Sequence, residues 1–249
     1  MDKKEYLNRI KYTDIIEVSD DVLFHLHQQH IYQIPFENLD VYYKRIFDLY
    51  IFKVYQKIIT NLRGGFCYEL NLLFNWLLKE IGFSSHIIAS RIINEHGVLG
   101  SEFDHMSLYV KTKKEFLVDV GYGDLFVTPI EIKSGVQWDG RNYFRIDKYS
   151  KEYLLSMSAD GINFQKRYSF DLNNATEENF NAICLDKQTN PESYFVKNVI
   201  CTKPTESGRV TIFNDKFIEK NGEYKNETII KGEDDLKSHL QEKFNVVVR

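Results

Sequence analysis

The 249-residue sequence lacks a long run of Lys or Arg, and its formal net charge of -4 is the wrong sign for a general nucleic-acid binder. It lacks an apolar stretch long enough to span a bilayer, and its start, MDKKEYLNRIKY, carries charge without the apolar core of a signal peptide. The expectation is a cytoplasmic protein that binds neither membrane nor nucleic acid. Cysteine is scarce: Cys67, Cys184 and Cys201 are odd in number, widely spaced and contain no CxxC pair, which excludes a disulfide framework and a zinc knuckle. The apolar fraction of 43% and charged fraction of 27% are those of a folded globular chain, so disorder is excluded as well.

What is present centres on Arg63 to Asn71, RGGFCYELN. Two glycines precede Cys67, and the apolar run from Glu69 to Leu78 reads as a buried helix stopped by Gly82. Cys67 then falls at the first turn, where unpaired backbone N–H groups and the helix dipole stabilise a thiolate. Gly64 and Gly65 allow a tight turn with amide donors close to the sulfur. A lone cysteine beside a buried helix is more commonly an inert small hydrophobe, so the nucleophilic reading needs partners.

Upstream, Ser19-Asp20-Asp21 supplies a cap and an acidic first turn for a helix that ends before Pro35. His25, His27 and His30 lie in this helix at offsets that do not share one face, which argues against a metal site and for solvated or partly buried rings. Phe36 to Leu39 should be extended, and Phe47 to Thr60 should form another helix.

After Gly82 the pattern turns to strands. Ser85 to Ile93 is one; Met106 to Val110 and Phe116 to Val120 read as a hairpin across Lys111 to Glu115. With Lys111 opposite Glu115, His105 and Asp119 become diagonal neighbours on one face, roughly 7–8 Å apart at the backbone and within reach of an imidazole–carboxylate bond. A two-residue loop would place them on opposite faces. An aspartate inside Leu117-Val118-Asp119-Val120 requires a partner in either case. Cys67, His105 and Asp119 thus supply a nucleophile, a base and an orienter.

Further on, Gln137 to Leu172 contains strands broken at Asp139-Gly140 and Asp160-Gly161, and Thr176 can cap a short helix through Phe180. Val210 to Lys220 and Glu223 to Ile230 should form a hairpin around a type I′ Asn221-Gly222 turn, before a final helix bearing Leu236, Leu240 and Phe244. The chain stops soon afterwards, and a comparatively open cleft is expected.

These motifs together carry a resemblance. Pro35-Phe36-Glu37-Asn38-Leu39, RGGFCYELN, Asp104-His105-Met106, Val118-Asp119-Val120-Gly121-Tyr122-Gly123, Asn190-Pro191-Glu192-Ser193-Tyr194-Phe195 and Gly208-Arg209-Val210-Thr211 resemble, in order and spacing, the arylamine N-acetyltransferase family. The resemblance implies an α+β fold: a helical bundle over 1–82 carrying the cysteine, a β-barrel over 83–188 carrying His and Asp, and an interdomain segment with an α/β lid over 189–249. It implies a Cys67–His105–Asp119 triad, acetyl-CoA as co-substrate with no permanently bound cofactor or metal, and an arylamine or hydrazine acceptor. Phe36, Phe66 and Tyr122 would line the acceptor pocket, and Gly100, Ser101 and Gly123 would approach CoA. Asp186 stands where many relatives have an aromatic residue. The chain would act as a monomer or weak homo-oligomer. A Cys–His–Asp hydrolase and a catalytically silent binding module remain alternatives on the residues themselves, and a macrocycle-forming amide synthase is a narrower alternative within the resembling family.

Overall fold

The computed structural model describes residues 1–248; residue 249, the end of the expected lid segment, lies outside the described residues. The chain opens with α1 (Lys3–Arg9), α2 (Asp20–Gln33), the short β1 (Phe36–Glu37), α3 (Leu39–Tyr42) and α4 (Ile51–Tyr55), which runs into a π-helical turn at Gln56–Thr60 and then into α5 (Cys67–Ile81). Next come β2 (Ser84–Ile92), β3 (His105–Lys111), β4 (Glu115–Val118), β5 (Ile130–Glu131), β6 (Val136–Trp138), β7 (Tyr143–Tyr149), β8 (Glu152–Ser158) and β9 (Gln165–Phe170). The rest comprises α6 (Glu177–Thr189), α7 (Tyr194–Lys197), β10 (Ile200–Thr205), β11 (Gly208–Phe213), β12 (Lys216–Asn221), β13 (Tyr224–Ile229) and α8 (Glu233–Phe244).

Eight strands form one antiparallel sheet in the order β5-β4-β3-β2-β9-β8-β7-β6. Its two edge strands are consecutive in the chain, so the sheet curls into a nearly closed barrel; the Gln137 side chain bridges the seam by donating to the Glu131 carbonyl at 2.8 Å. The fold is α+β, as expected. A second sheet, β1-β10-β11-β12-β13, packs against α8 through Val210, Ile212, Phe217, Leu236, Leu240 and Phe244. Its edge strand β1 comes from the N-terminal segment, pairing Phe36 with Thr202 and Glu37 with Cys201. The largest core joins the helices to one face of β3 and β4.

Several expected boundaries move for local reasons. Residues 47–50 are not helical, because the Gln188 side chain takes both the N–H and the carbonyl of Phe47. The helix capped by Thr176 continues to Thr189, with Phe180, Cys184 and Gln188 buried at four-residue spacing. The expected strand from Val210 to Lys220 breaks at Asn214, which adopts a left-handed conformation between β11 and β12. Asn221 pairs with Tyr224, so Gly222 is the first central residue of that turn, in the manner of type II′ and not I′.

The RGGFC loop is fastened by buried charges. Arg63 binds Glu37 at 2.9 Å and Asp40 at 3.0 Å, while Lys57 binds Asp40 and Glu69 at 2.8 Å each. Glu37 also accepts from the Leu39 amide at 2.7 Å, and Glu69 from the Phe66 amide at 2.9 Å. Every member thus has a partner, and the cations hold Asp40 below the usual carboxylate range despite burial. Gly64 passes the Pro35 carbonyl so closely that a Cβ would lie 2.2 Å from its oxygen. Arg63→Gln, which removes the ion-pair partner of Glu37, is expected to destabilise the fold by about 3 kcal/mol. Urea unfolding should show the midpoint fall with an unchanged slope.

Candidate active site

Cys67 is the first residue of α5, and its neighbour Phe66 is the N-cap, whose amide donates to Glu69 in the helix's own first turn. Behind the cysteine, Glu37 N–H donates to the Gly65 carbonyl at 3.0 Å, tying the loop to β1. In front of it runs the segment after β4. A Cβ on Gly121 would come within 2.6 Å of Cys67 Cα and 2.8 Å of its carbonyl oxygen, so only glycine permits this approach of two backbones.

The β3–β4 ladder has the register expected from the three-residue loop, Lys111 opposite Glu115 and Leu108 opposite Val118. It carries His105 and Asp119 together: His105 Nε2 lies 2.6 Å from Asp119 Oδ2, with both residues only 3% exposed. The ring shares a cavity wall with Cys67, whose side chain adds to the electrostatics acting on it. With Nε2 taken by Asp119, Nδ1 is the nitrogen left for sulfur. Burial works against a charged imidazole, but Asp119 and Cys67 together push its pKa up to about 10. Asp119 is held below the usual carboxylate range, burial being outweighed by His105 and by hydrogen bonds.

Those bonds come from groups for which no contact with Asp119 was expected. Asn71 Nδ2 donates to Asp119 Oδ1 at 2.9 Å and to the Met106 carbonyl at 2.7 Å, while its Oδ1 accepts from Val120 N–H at 3.0 Å. Gly121 and Tyr122 amides donate to Asp119 Oδ1 at 2.9 and 3.1 Å, and Tyr168 OH donates to Oδ2 at 3.2 Å. Burial and Asp119 push the Tyr168 pKa well up, so it stays a donor. Tyr68 OH donates to the Asp104 carbonyl at 2.9 Å, fixing the chain just before His105. Asn71 was visible as a polar residue inside an apolar helix, a signal that it needs partners; Tyr168, on β9, left no local signal.

His27 and His30 are fully buried and not solvated. His27 places Nε2 3.0 Å from the Asp119 carbonyl and Nδ1 3.2 Å from that of Val127, so it supports the site's backbone from behind. Among the described residues no group of His, Cys, Asp or Glu is arranged to hold a metal.

A cavity of about 370 Å³ opens onto Cys67 and His105, with Phe36, Tyr122, Gly123 and Phe195 among its walls. Phe36 and Tyr122 thus lie on the same cavity wall as Cys67 and His105. Phe66 does not: it is buried behind the wall, stacked on Phe36 at 5.9 Å and packed on Phe195 at 4.7 Å. Gly100 and Ser101 also lie outside this cavity; the Gly100 carbonyl accepts from Arg91 Nε, and its Cα packs against the Asp104 carboxylate. Lys187 reaches the wall instead, 2.8 Å from Asp104 and 5.4 Å from the centre of the Phe195 ring. Asp186 points elsewhere, accepting from Asn190.

No helix among the described residues is long and apolar enough to cross a membrane. The N-acetyltransferase family model matches residues 21–249. The pineal gland arylamine N-acetyltransferase isozyme NAT-3 of Gallus gallus is 31% identical over 277 aligned positions, covering 100% of this chain and 95% of that protein. Solved structures share the fold. The arylamine N-acetyltransferase of Salmonella typhimurium superposes with a TM-score of 0.92 at 24% identity, covering 99% of this chain and 92% of that one. The Mycobacterium marinum enzyme in complex with CoA superposes at 0.89 and 23% identity, covering 98% and 93%. With its family match, its full-length relative and its shared fold, the chain belongs to the arylamine N-acetyltransferases, a family of acyltransferases that use acetyl-CoA as co-substrate.

Proposed function

We propose that this chain transfers an acetyl group from acetyl-CoA to an arylamine or arylhydrazine in a ping-pong cycle through acetyl-Cys67. The observation that carries the reading is a cysteine at a helix N-terminus sharing one cavity with a histidine that is itself bound to a buried carboxylate at 2.6 Å. Cys67 gives its proton to His105 and attacks the thioester carbon as thiolate. The bond from that carbon to the CoA sulfur breaks, and the leaving thiolate takes the proton from the imidazolium. The amine then attacks the acetyl carbon, the bond to Cys67 breaks, and a proton from nitrogen returns through His105 to the sulfur.

Asp119 stabilises the charged imidazole and orients it. The Tyr68 amide, in a first turn where no intrahelical acceptor exists, is the donor proposed for the tetrahedral oxyanion. Phe36, Tyr122 and Phe195 offer flat apolar walls suited to an aromatic acceptor. Cys184 and Cys201 do not compete as nucleophiles, because burial pushes both thiols up.

Cys67→Ala is expected to abolish turnover; normal rates from that protein would sink the mechanism. Asp119→Asn should lower kcat/KM by about 10³ to 10⁴, provided that circular dichroism shows the fold retained. Asn71→Ala removes a donor shared by Asp119 and Met106 and an acceptor for Val120, and should cost about 2–3 kcal/mol of stability in chemical denaturation together with part of the activity. A variant as stable and active as the parent would remove Asn71 from the positioning scheme.

A further inference from the structure

A guanidinium that forms no ion pair among the described residues stands where two cavities meet. Behind the Tyr122–Gly123 segment lies a second chamber of about 430 Å³, and Arg209, on β11, lines both it and the Cys67 cavity. Phe36, Tyr122, Gly123, Asp124 and Thr202 are likewise common to the two. The half-buried Arg209 makes one hydrogen bond, from Nη1 to Thr202 Oγ1 at 2.9 Å, and forms no ion pair among the described residues. Four of its five N–H donors are therefore uncommitted to protein. Burial pushes its pKa down to about 10; Asp124 draws it back up and Arg141 adds to the fall.

The second chamber adds two more cations. Arg141 donates to the carbonyls of Thr205, Glu206 and Gly208, which fixes its position and leaves its charge unopposed. Lys220 stands on the same wall, also without an ion pair among the described residues. The acids lining this chamber are Asp119, whose oxygens are occupied by His105, Asn71, Tyr168 and two amides, and the exposed Asp124. Three cations thus face one available carboxylate. Lys220 is exposed, but the half-buried Arg209 is partly removed from water and gains most from an anionic ligand, and its guanidinium fork matches carboxylate and phosphate oxygens.

We propose that Arg209, backed by Arg141 and Lys220, binds an oxyanion of a substrate whose reactive end lies at Cys67. This rests on the acetyl-transfer reading above. Two sources supply that chemistry: the phosphates of CoA, or a carboxylate on the acceptor amine.

The test compares the parent with Arg209→Gln and Arg209→Lys in four combinations of substrate. The acetyl donor is acetyl-CoA or the phosphate-free 4-nitrophenyl acetate; the acceptor is 4-aminobenzoate or the uncharged 4-methoxyaniline. Arg209→Gln is expected to raise the KM of an anionic substrate tenfold or more, with kcat changed little and Arg209→Lys recovering part of the loss. A loss confined to acetyl-CoA assigns the site to phosphate, one confined to 4-aminobenzoate assigns it to the acceptor carboxylate, and a loss with both means that the two share it. The neutral pair, 4-nitrophenyl acetate with 4-methoxyaniline, should keep its rate. Equal losses in all four combinations, or none in any, would overturn the assignment. Failure of the parent protein to turn over the neutral pair, or to become acetylated on Cys67, would instead count against the acetyl-transfer reading.

Discussion

The site depends on a carboxylate that has been taken out of water. Asp119 is buried, and its two oxygens accept from His105, Asn71, Tyr168 and the amides of Gly121 and Tyr122. A charge in that environment is tolerable only with this full set of donors, and removing any one leaves a cost that the others cannot make good. The same bonds decide geometry. They link α5 through Asn71, β3 through His105 and β9 through Tyr168 to the turn that follows β4, so the imidazole is placed by three separate parts of the fold.

A second buried network does for the cysteine what the first does for the histidine. Arg63, Lys57, Glu37, Asp40 and Glu69 hold the RGGFC loop against β1 and against the π-helical turn that precedes it. The two networks meet where Gly121 crosses the backbone of Cys67, a contact that no side chain larger than hydrogen would allow. The backbone contact at Gly121 and the two side-chain networks thus jointly fix how Cys67 and His105 stand to one another. That preorganisation favours proton transfer within the pair over reorganisation at each cycle.

Much of this was legible in the residues. The three-residue loop between β3 and β4 settles which face His105 and Asp119 occupy, and the glycines before Cys67 mark a tight approach to a helix start. Features that depend on distant segments were not legible. Tyr168 reaches Asp119 from 49 positions away, and Glu37, Asp40, Lys57 and Arg63 look like ordinary surface charges until folding buries them together. Phe66 shows the limit from the other side: the resemblance implies a pocket wall there, but its ring packs against Phe36 and Phe195. The uncompensated Arg209 likewise becomes visible only when both chambers are.

The central claim is that Cys67 carries the acetyl group between donor and acceptor. The most direct measurement is intact-protein mass after brief mixing with acetyl-CoA, with peptide mapping, followed by addition of an arylamine. The account predicts a single acetyl group on Cys67 that disappears as the amine is acetylated. An unmodified Cys67 that remains readily alkylated, or an acetyl group that water removes as fast as the amine does, would contradict it and point to a different acyl donor or to a hydrolase.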